Sequence, residues 1–200
     1  MTMKPIPAPS SQKNKSTLFF LVFMATHLIL MSATFNANAQ PLNRPVPAPE
    51  FTQSNPADWI NSKPLSLADF KGKVVLIDFW TFGCWNCYRS FPWLNDLENR
   101  YHKQGLEIIG VHTPEFPHEK IRQAVVEKAR QFNLNHPIML DNNFIYWKAM
   151  HNRYWPAYYL IDANGLVRYK FFGETHKNSQ NDTRISSAIE SLINEAKISL

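Results

Sequence analysis

Apolar and polar positions follow two different periods along the chain, and the change between them divides it into predicted strands and helices. The apolar run KVVLIDFW, residues 73–80, is short, continuous and rich in β-branched side chains, which is typical of a strand in the middle of a sheet. The run LEIIGVH, residues 106–112, has the same character and predicts a second buried strand. Between them a helix can extend from Cys84 to about Gln104, because the following Gly105 is a common helix terminator.

The second half of the chain continues this alternation and contains a hairpin. Residues 119–132 carry apolar side chains three or four positions apart with charges between them, which predicts an amphipathic helix. Asn164 and Gly165 lie between two apolar runs and readily adopt the positive φ of a tight hairpin turn. The order of elements favours an α/β fold around a mixed sheet. The remaining predicted elements are a strand over 137–140, a helix over 142–150, strands over 157–161 and 166–172, and a helix from residue 183.

The first 39 residues have the composition of an export signal. Lysines come first, no acidic residue occurs before Glu50, and an apolar run of 14 residues occupies positions 18–31. Ala37 and Ala39 are the small residues that a signal peptidase requires, so we expect cleavage after Ala39 and a periplasmic location. A membrane-spanning helix needs roughly 20 apolar residues, so an uncleaved segment that tethers the protein to the membrane is the second interpretation.

A proline-rich segment, residues 40–50, follows the export signal. Its prolines at positions 41, 45, 47 and 49 predict an extended spacer that stays out of helix and sheet. We therefore assign residues 51–200 to one folded domain, which is long enough to bury its own core. The formal charge of +5 includes three lysines of the export signal, and the other basic residues are scattered. We therefore expect no nucleic-acid partner.

Two cysteines, Cys84 and Cys87, are the only ones in the chain, and their spacing allows several uses. Haem attachment needs a histidine after the second cysteine, where this chain has Tyr88. A metal site could add His112 and His118, although the prolines between them disfavour the helix that usually presents such a pair. A copper-binding chaperone that uses the cysteine pair remains an alternative function. A purely structural disulfide would close so short a loop that it removes little chain entropy.

Redox exchange agrees best with the predicted position of the pair. Cys84 follows a central strand and begins a helix, where free N–H groups and the helix dipole favour the thiolate that attacks disulfides. We therefore predict Cys84 as the nucleophile. Cys87 lies one helical turn later and would attack the mixed disulfide, which releases the reduced substrate.

The segment VLIDFWTFGCWNCYRSFP resembles the active-site segment of the thioredoxin superfamily. The resemblance implies that Asp78 is the buried carboxyl group beneath the second cysteine, where it would take a proton from Cys87. It also implies that Pro156, in the segment NRYWPAYYLID, is the cis-proline that faces the cysteines. The backbone of Trp155 would then bind an extended substrate segment as an added strand.

Three longer segments narrow the resemblance to the redoxin branch that contains TlpA, ResA and the periplasmic domain of DipZ. They are LSLADFKGKVVLIDFWTFGCWNC, GLEIIGVHTPEF and NRYWPAYYLIDANGLVRY, and the likeness covers residues 59–173. It implies a thioredoxin-like fold, a central mixed sheet flanked by helices, with an insertion over residues 114–146 before the cis-proline strand. It also implies an exported thiol–disulfide oxidoreductase that reduces periplasmic proteins. Its partners would be disulfide-containing substrate proteins and a membrane electron donor of the DsbD/CcdA type, and no cofactor is expected.

Three further residues are candidates for this site. Trp80 and Trp85 flank the first cysteine and are assigned to substrate binding, and Glu115 follows the second strand, where it could assist proton transfer. A peroxiredoxin-like peroxidase is a further alternative. Peroxiredoxins usually place threonine and proline just before the reactive cysteine, whereas this chain has Phe82 and Gly83 there.

Overall fold

The structure of the protein, a computed structural model, describes residues 39–198. Apart from Ala39, the predicted export signal lies outside the described residues. No helix within them is both long enough and apolar enough to cross a membrane. The strands are β1 (Ala39–Pro47), β2 (Trp59–Ile60), β3 (Val74–Trp80), β4 (Leu106–His112), β5 (Ile138–Leu140), β6 (Ala157–Ile161) and β7 (Leu166–Phe172). The α-helices are α1 (Trp85–Tyr101), α2 (Arg122–Gln131), α3 (Ile145–Ala149) and α4 (Gln180–Ile198).

The strands form one mixed sheet in the order β1-β7-β6-β3-β4-β5-β2. Strand β3 is central, parallel to β4 on one side and antiparallel to β6 on the other. All of its residues are buried, because other elements cover both faces of the sheet there. The predicted α/β fold with a mixed sheet is confirmed. The segment predicted as an insertion, residues 114–146, lies between β4 and β6 and contains α2, β5 and the first residues of α3.

Helix α1 begins and ends close to the predicted positions. Cys84 is its N-cap residue, and after Tyr101 the chain continues in a 3₁₀ turn, His102–Gln104. Gly105 then adopts a φ of 112°, a left-handed conformation that glycine reaches without a Cβ clash. The glycine therefore lets the chain turn between the end of α1 and the start of β4, so that the chain returns to the sheet after the helix.

The predicted helix over residues 119–132 is shorter than the sequence indicates. The structure has a 3₁₀ turn, Pro117–Lys120, and α2 begins only at Arg122. The difference arises because Glu119 does not face the solvent as a helical surface residue would. Its side chain is buried and accepts hydrogen bonds from backbone N–H groups that precede the turn.

The prediction that the proline-rich segment stays out of the sheet is wrong for residues 40–47, which belong to β1. This strand pairs antiparallel with β7, with Val46 opposite Val167 and Pro47 opposite Leu166, and its register shifts between Pro41 and Val46. Because β1 lies at the edge of the sheet, one side of it has no neighbouring strand among the described residues. Proline is tolerated in such a strand since its missing N–H can fall on the open side.

Two apolar clusters fill the two faces of the sheet. On one face Leu76 and Trp80 of β3 pack with buried residues of α1, α2 and α4, and Cys87 belongs to this cluster. On the other face Ile77 and Phe79 pack with residues of α3 and of the segment before β3. The alternation follows from the strand geometry, in which successive side chains point to opposite faces. The second cysteine is thus held in the core of the domain.

Candidate active site

The two cysteines lie at the start of α1, directly after the central strand. They form a disulfide, and their Cα atoms are 5.3 Å apart. The Cys87 N–H donates a hydrogen bond to Cys84 Sγ over 3.1 Å, so the first cysteine caps the helix with its sulfur. Cys84 is half-buried, whereas Cys87 is completely buried. Of the two sulfurs, that of Cys84 is therefore the one that a second protein can reach.

Asp78 is buried beneath the sheet surface, as the resemblance to thioredoxins implies. Its side chain is 1% exposed, and Oδ2 has no hydrogen-bond partner among the described residues. Burial raises the pKa of Asp78 to about 8, because the charged form loses its solvation. It lies two residues before Trp80 on β3 and thus points to the face whose cluster contains Cys87. At neutral pH this carboxyl group mostly carries a proton.

The Trp155–Pro156 peptide bond is cis, which confirms the prediction from the sequence. Pro156 leads into β6, whose first residue, Ala157, pairs with Phe79 near the end of β3. The proline therefore lies at the same end of the sheet as the cysteine turn. Trp155 is half-buried, and its ring centroid is 4.2 Å from that of Trp147.

The two tryptophans that flank the first cysteine differ completely in exposure. Trp85 is 67% exposed, with its ring edge-on to Tyr88. Trp80 is 0% exposed and packs edge-on against Phe91 and His112. The assignment of Trp80 to substrate binding is therefore wrong, since a side chain in the core touches no bound protein. Its place in the core follows from its position on β3, two residues after Asp78 on the same face.

The carboxylate that lies against the cysteine turn belongs to Glu119, which the sequence analysis did not select, and not to Glu115. The Glu115 side chain is exposed, while its N–H donates to Glu119 Oε2 over 2.5 Å. Glu119 also accepts from the Thr81 hydroxyl at 2.7 Å and from the Phe116 N–H at 3.0 Å. A Cβ atom added to Gly83 would lie 2.1 Å from Glu119 Oε1. Glu119 is thus in contact with the residue that precedes Cys84.

The charge of Glu119 follows from these contacts. Burial raises its pKa, but hydrogen bonds from the Phe116 N–H, the Thr81 hydroxyl and the Glu115 N–H outweigh burial and hold the pKa below its usual value. Glu119 is therefore ionised at neutral pH. A signal for it exists in the sequence segment TPEFPHE, because a glutamate three residues after the start of a turn often accepts from the backbone there.

The two histidines considered as metal ligands lie in different surroundings. His112 is fully buried, with its ring 4.8 Å from Trp80 and 5.7 Å from Phe82, and burial lowers its pKa to about 4. His118 is exposed and lies against Phe82 and Phe116. Within residues 39–198, no group of three or more histidine, cysteine, aspartate or glutamate side chains is arranged to hold a metal ion.

Comparison with known proteins agrees with this geometry. The family model described as Redoxin matches residues 46–188. Protein DipZ of Mycobacterium tuberculosis (strain CDC 1551 / Oshkosh) is 44% identical over 142 residues, which cover 70% of this chain and 20% of DipZ. The thiol-disulfide oxidoreductase YkuV of Bacillus subtilis (strain 168) is 29% identical over 123 residues, which cover 62% of this chain and 81% of YkuV.

A solved structure has the same fold. The thiol:disulfide interchange protein of the thioredoxin family from Chlorobium tepidum TLS has a TM-score of 0.60 at 20% sequence identity, over 75% of this chain and 97% of that one. At this level of identity the likeness concerns the fold alone. The match to DipZ extends over only about a fifth of that protein's length.

The fold and the cysteine turn together define a thioredoxin-like domain with a Cys-x-x-Cys disulfide at the start of a helix. The chain belongs to the Redoxin family, in the branch that includes DipZ. The resemblance of the sequence to the redoxin branch is thereby confirmed.

Proposed function

We propose that this protein is an exported reductase of disulfides in periplasmic proteins. The observation that carries the proposal is the unequal burial of the two cysteines: Cys84 is accessible at a helix N-terminus, and Cys87 is buried on the same face as a carboxyl group of raised pKa, Asp78. In such an arrangement the sulfur of Cys84 is accessible to the substrate, and the sulfur of Cys87 is buried in the core. The direction of transfer, reduction, is what the resemblance to the branch of TlpA and DipZ implies.

The reaction begins when the Cys84 thiolate attacks a disulfide of the substrate protein. A bond forms between Cys84 Sγ and one substrate sulfur, and the other substrate sulfur leaves as a thiolate. In the molecules in which Asp78 is ionised, a fraction that grows as pH rises toward 8, Cys87 then gives its proton to the Asp78 carboxylate and attacks Cys84 Sγ. The Cys84–Cys87 disulfide forms, the second substrate sulfur leaves, and the two electrons have passed to the substrate.

Asp78 is suited to this proton transfer because of its raised pKa. A carboxyl group with a pKa of about 8 lies close to an ordinary thiol at roughly 8.5, so the proton moves between them at little free-energy cost. An exposed aspartate would be too weak a base for this step. Burial in β3 thus gives the carboxyl group the proton affinity that the second cysteine requires.

Substrate binding is assigned to the rim of the cysteine turn. Within residues 39–198 no backbone hydrogen bond uses the N–H or C=O of Trp155, so both groups are free to pair with an extended segment. Pro156, in its cis form, holds this backbone at the end of the sheet where the cysteines lie. Trp85, the residue after Cys84, adds an exposed aromatic surface.

Reduction of the substrate leaves the Cys84–Cys87 disulfide, which must be reduced again by a separate donor. We propose a membrane electron donor of the DsbD/CcdA type, because an exported protein has no access to cytoplasmic thiols. Export itself is supported by the composition of residues 1–39. If export is correct, the protein recovered from a periplasmic fraction has an N-terminal sequence that begins at Gln40, and recovery from the cytoplasm with Met1 intact contradicts it.

The reduction potential of the Cys84–Cys87 pair tests the direction of transfer. Equilibration with glutathione or dithiothreitol should give a value near that of thioredoxin, about −270 mV. A value near about −120 mV, as for strong periplasmic oxidants, would contradict the reductase proposal while leaving disulfide exchange intact. A pair that does not cycle between dithiol and disulfide would contradict disulfide exchange and favour the metal-binding alternative.

A further inference from the structure

Glu119 places a buried negative charge beside the cysteine turn. Its side chain is 0% exposed, and its Oε1 atom lies where a Cβ of Gly83 would be. Because consecutive Cα atoms are about 3.8 Å apart, this oxygen is within about 8 Å of the Cα of Cys84. The carboxylate is held there by three donors, which are the Thr81 hydroxyl and two backbone N–H groups.

In the part of the chain that the structure describes, no cation neutralises this charge. None of the ion pairs within residues 39–198 includes Glu119. The titratable groups whose charge it influences are His112 and Tyr88. His112 is neutral at physiological pH, since burial holds its pKa near 4. Tyr88 is neutral as well, because burial and the nearby Glu119 raise its pKa. The donors stabilise the carboxylate, but they leave its net charge in place.

We propose that Glu119 is a positioning residue that fixes the Thr81–Gly83 turn and whose negative charge opposes thiolate formation at Cys84, which lowers the reduction potential of the cysteine pair. The helix N-terminus favours the thiolate, and a like charge nearby disfavours it. The reduced protein contains this thiolate, whereas the disulfide carries no charge. Glu119 therefore destabilises the reduced form relative to the oxidised form, and the protein gives up its electrons more readily.

The inference rests on the Cys84–Cys87 redox cycle and on no particular direction of transfer. The absolute reduction potential tests the proposed reductase function, whereas the difference between variants tests the role of Glu119. An oxidising wild-type protein with a Glu119-dependent potential would reject the first and retain the second. A reducing wild-type protein whose potential stays the same when Glu119 is substituted would support the reductase function and reject the role of Glu119.

The test compares the full chain with Glu119→Gln, which removes the charge and keeps the shape. Glu115→Gln is the matched control, because it removes an exposed carboxylate from the same turn. Two quantities are measured for each protein: the pH dependence of Cys84 alkylation by iodoacetamide in the reduced form, and the equilibrium constant with glutathione. The second is measured at a pH at which Cys84 is ionised in all three proteins.

Glu119→Gln should contain about tenfold more Cys84 thiolate than wild type at a pH below the midpoint of alkylation. Its glutathione equilibrium should move about tenfold toward the dithiol, which is ~30 mV for this two-electron couple. Glu115→Gln should match wild type in both measurements. A folded Glu119→Gln protein with the wild-type alkylation profile and equilibrium constant would overturn the inference, and so would a shift in the opposite direction.

Loss of folding in Glu119→Gln would leave these quantities unmeasured, so a second neutral variant is included. Glu119→Ser has a smaller side chain, which leaves room for water to reach the same donors. It should show the same direction of change in both measurements. Glu119→Asp keeps the charge and should keep the wild-type equilibrium constant, whatever it does to thermal stability. A purely structural role predicts that all three variants lower the unfolding temperature and none changes the potential.

Discussion

Gly83 and Glu119 are in close contact. As long as the Glu119 side chain keeps its position, residue 83 must be glycine. A Cβ on Gly83 would lie 2.1 Å from Glu119 Oε1, much closer than any van der Waals contact allows. The contact joins the turn that precedes the first cysteine to the turn that follows β4. These two turns are 36 residues apart in sequence, from position 83 to position 119. Substitutions at the contact therefore report on how the cysteine turn is held.

Gly83→Ala should destabilise the protein by about 1–3 kcal/mol, because the added methyl group displaces a carboxylate fixed by three hydrogen bonds. Urea unfolding of wild type, Gly83→Ala, Glu119→Ser and the double variant measures this cost. The double variant should be less destabilised than the two single costs predict together, because the smaller serine side chain makes room for the methyl group. Additive costs would mean that the two residues do not compete for space.

Cys87→Ser should trap substrates. The variant keeps the half-buried but accessible sulfur of Cys84 and lacks the buried sulfur of Cys87 that would release the substrate. Incubation with a disulfide-containing protein should therefore give a mixed disulfide that is visible on a non-reducing gel and disappears with dithiothreitol. Cys84→Ser is the control and should form no adduct. An adduct formed by Cys84→Ser instead would assign the attack to Cys87.

Asp78→Asn should slow release of the substrate without preventing the first attack. Asparagine has nearly the same shape but cannot accept the proton of Cys87, and loss of a general base typically costs 10²–10⁴-fold in rate, so we expect about 10²-fold or more. The rate of substrate reduction is measured from pH 6 to pH 9. In wild type the rate of release should rise with pH through the pKa of about 8 of Asp78. A variant with the wild-type rate and pH profile would remove Asp78 from the mechanism.

The buried Asp78 should also make stability depend on pH. Its pKa is about 8 in the folded protein against an ordinary value of 3.8, so between these values the folded state holds a proton that the unfolded state has released. Stability from this group is therefore complete below about pH 4, is lost as pH rises, and reaches its minimum above about pH 8. The slope is at most about 1.4 kcal/mol per pH unit.

Asp78→Asn should abolish this slope, and urea unfolding at several pH values compares it with wild type. Glu115→Gln, which removes an exposed carboxyl group, should leave the slope unchanged. If wild type and Asp78→Asn lose stability equally between pH 5 and pH 8, then Asp78 is not the protonated buried group that its surroundings imply.

Trp85 and Trp80 form a matched pair for separating binding from folding. Trp85→Ala removes an exposed ring, so the free energy of unfolding should change by less than about 0.5 kcal/mol while KM for a protein substrate rises. Trp80→Ala removes a ring from the core and should cost about 3–5 kcal/mol of stability. Chemical unfolding and steady-state reduction of a protein disulfide measure the two effects. A Trp85→Ala protein with unchanged KM would mean that the exposed ring does not contact substrate.

Local patterns in the sequence were sufficient for the elements that carry the cysteines. The strands at 106–112, 157–161 and 166–172 have the predicted bounds, and α1 begins where Cys84 predicts it. These elements are recognisable because the spacing of their buried apolar residues matches the period of a strand or a helix. The edge strand β1 and the two-residue β2 were missed, because β1 is held by pairing with β7 against its proline content, and β2 is too short to show a period.

The sequence by itself determined the chemistry of the site: two cysteines after a central strand, a carboxyl group six residues earlier and a proline before a later strand. The cysteine pair is recognised from its spacing and its place after a strand, whereas Asp78 and Pro156 are recognised through the resemblance to thioredoxins. Only the tertiary structure decided which tryptophan is exposed and which glutamate lies against the cysteine turn. The exposure of each tryptophan and the contact of Glu119 depend on which residues the folded sheet and the turn of residues 113–119 bring close to these side chains. Distances between segments far apart in sequence are not encoded in any local pattern.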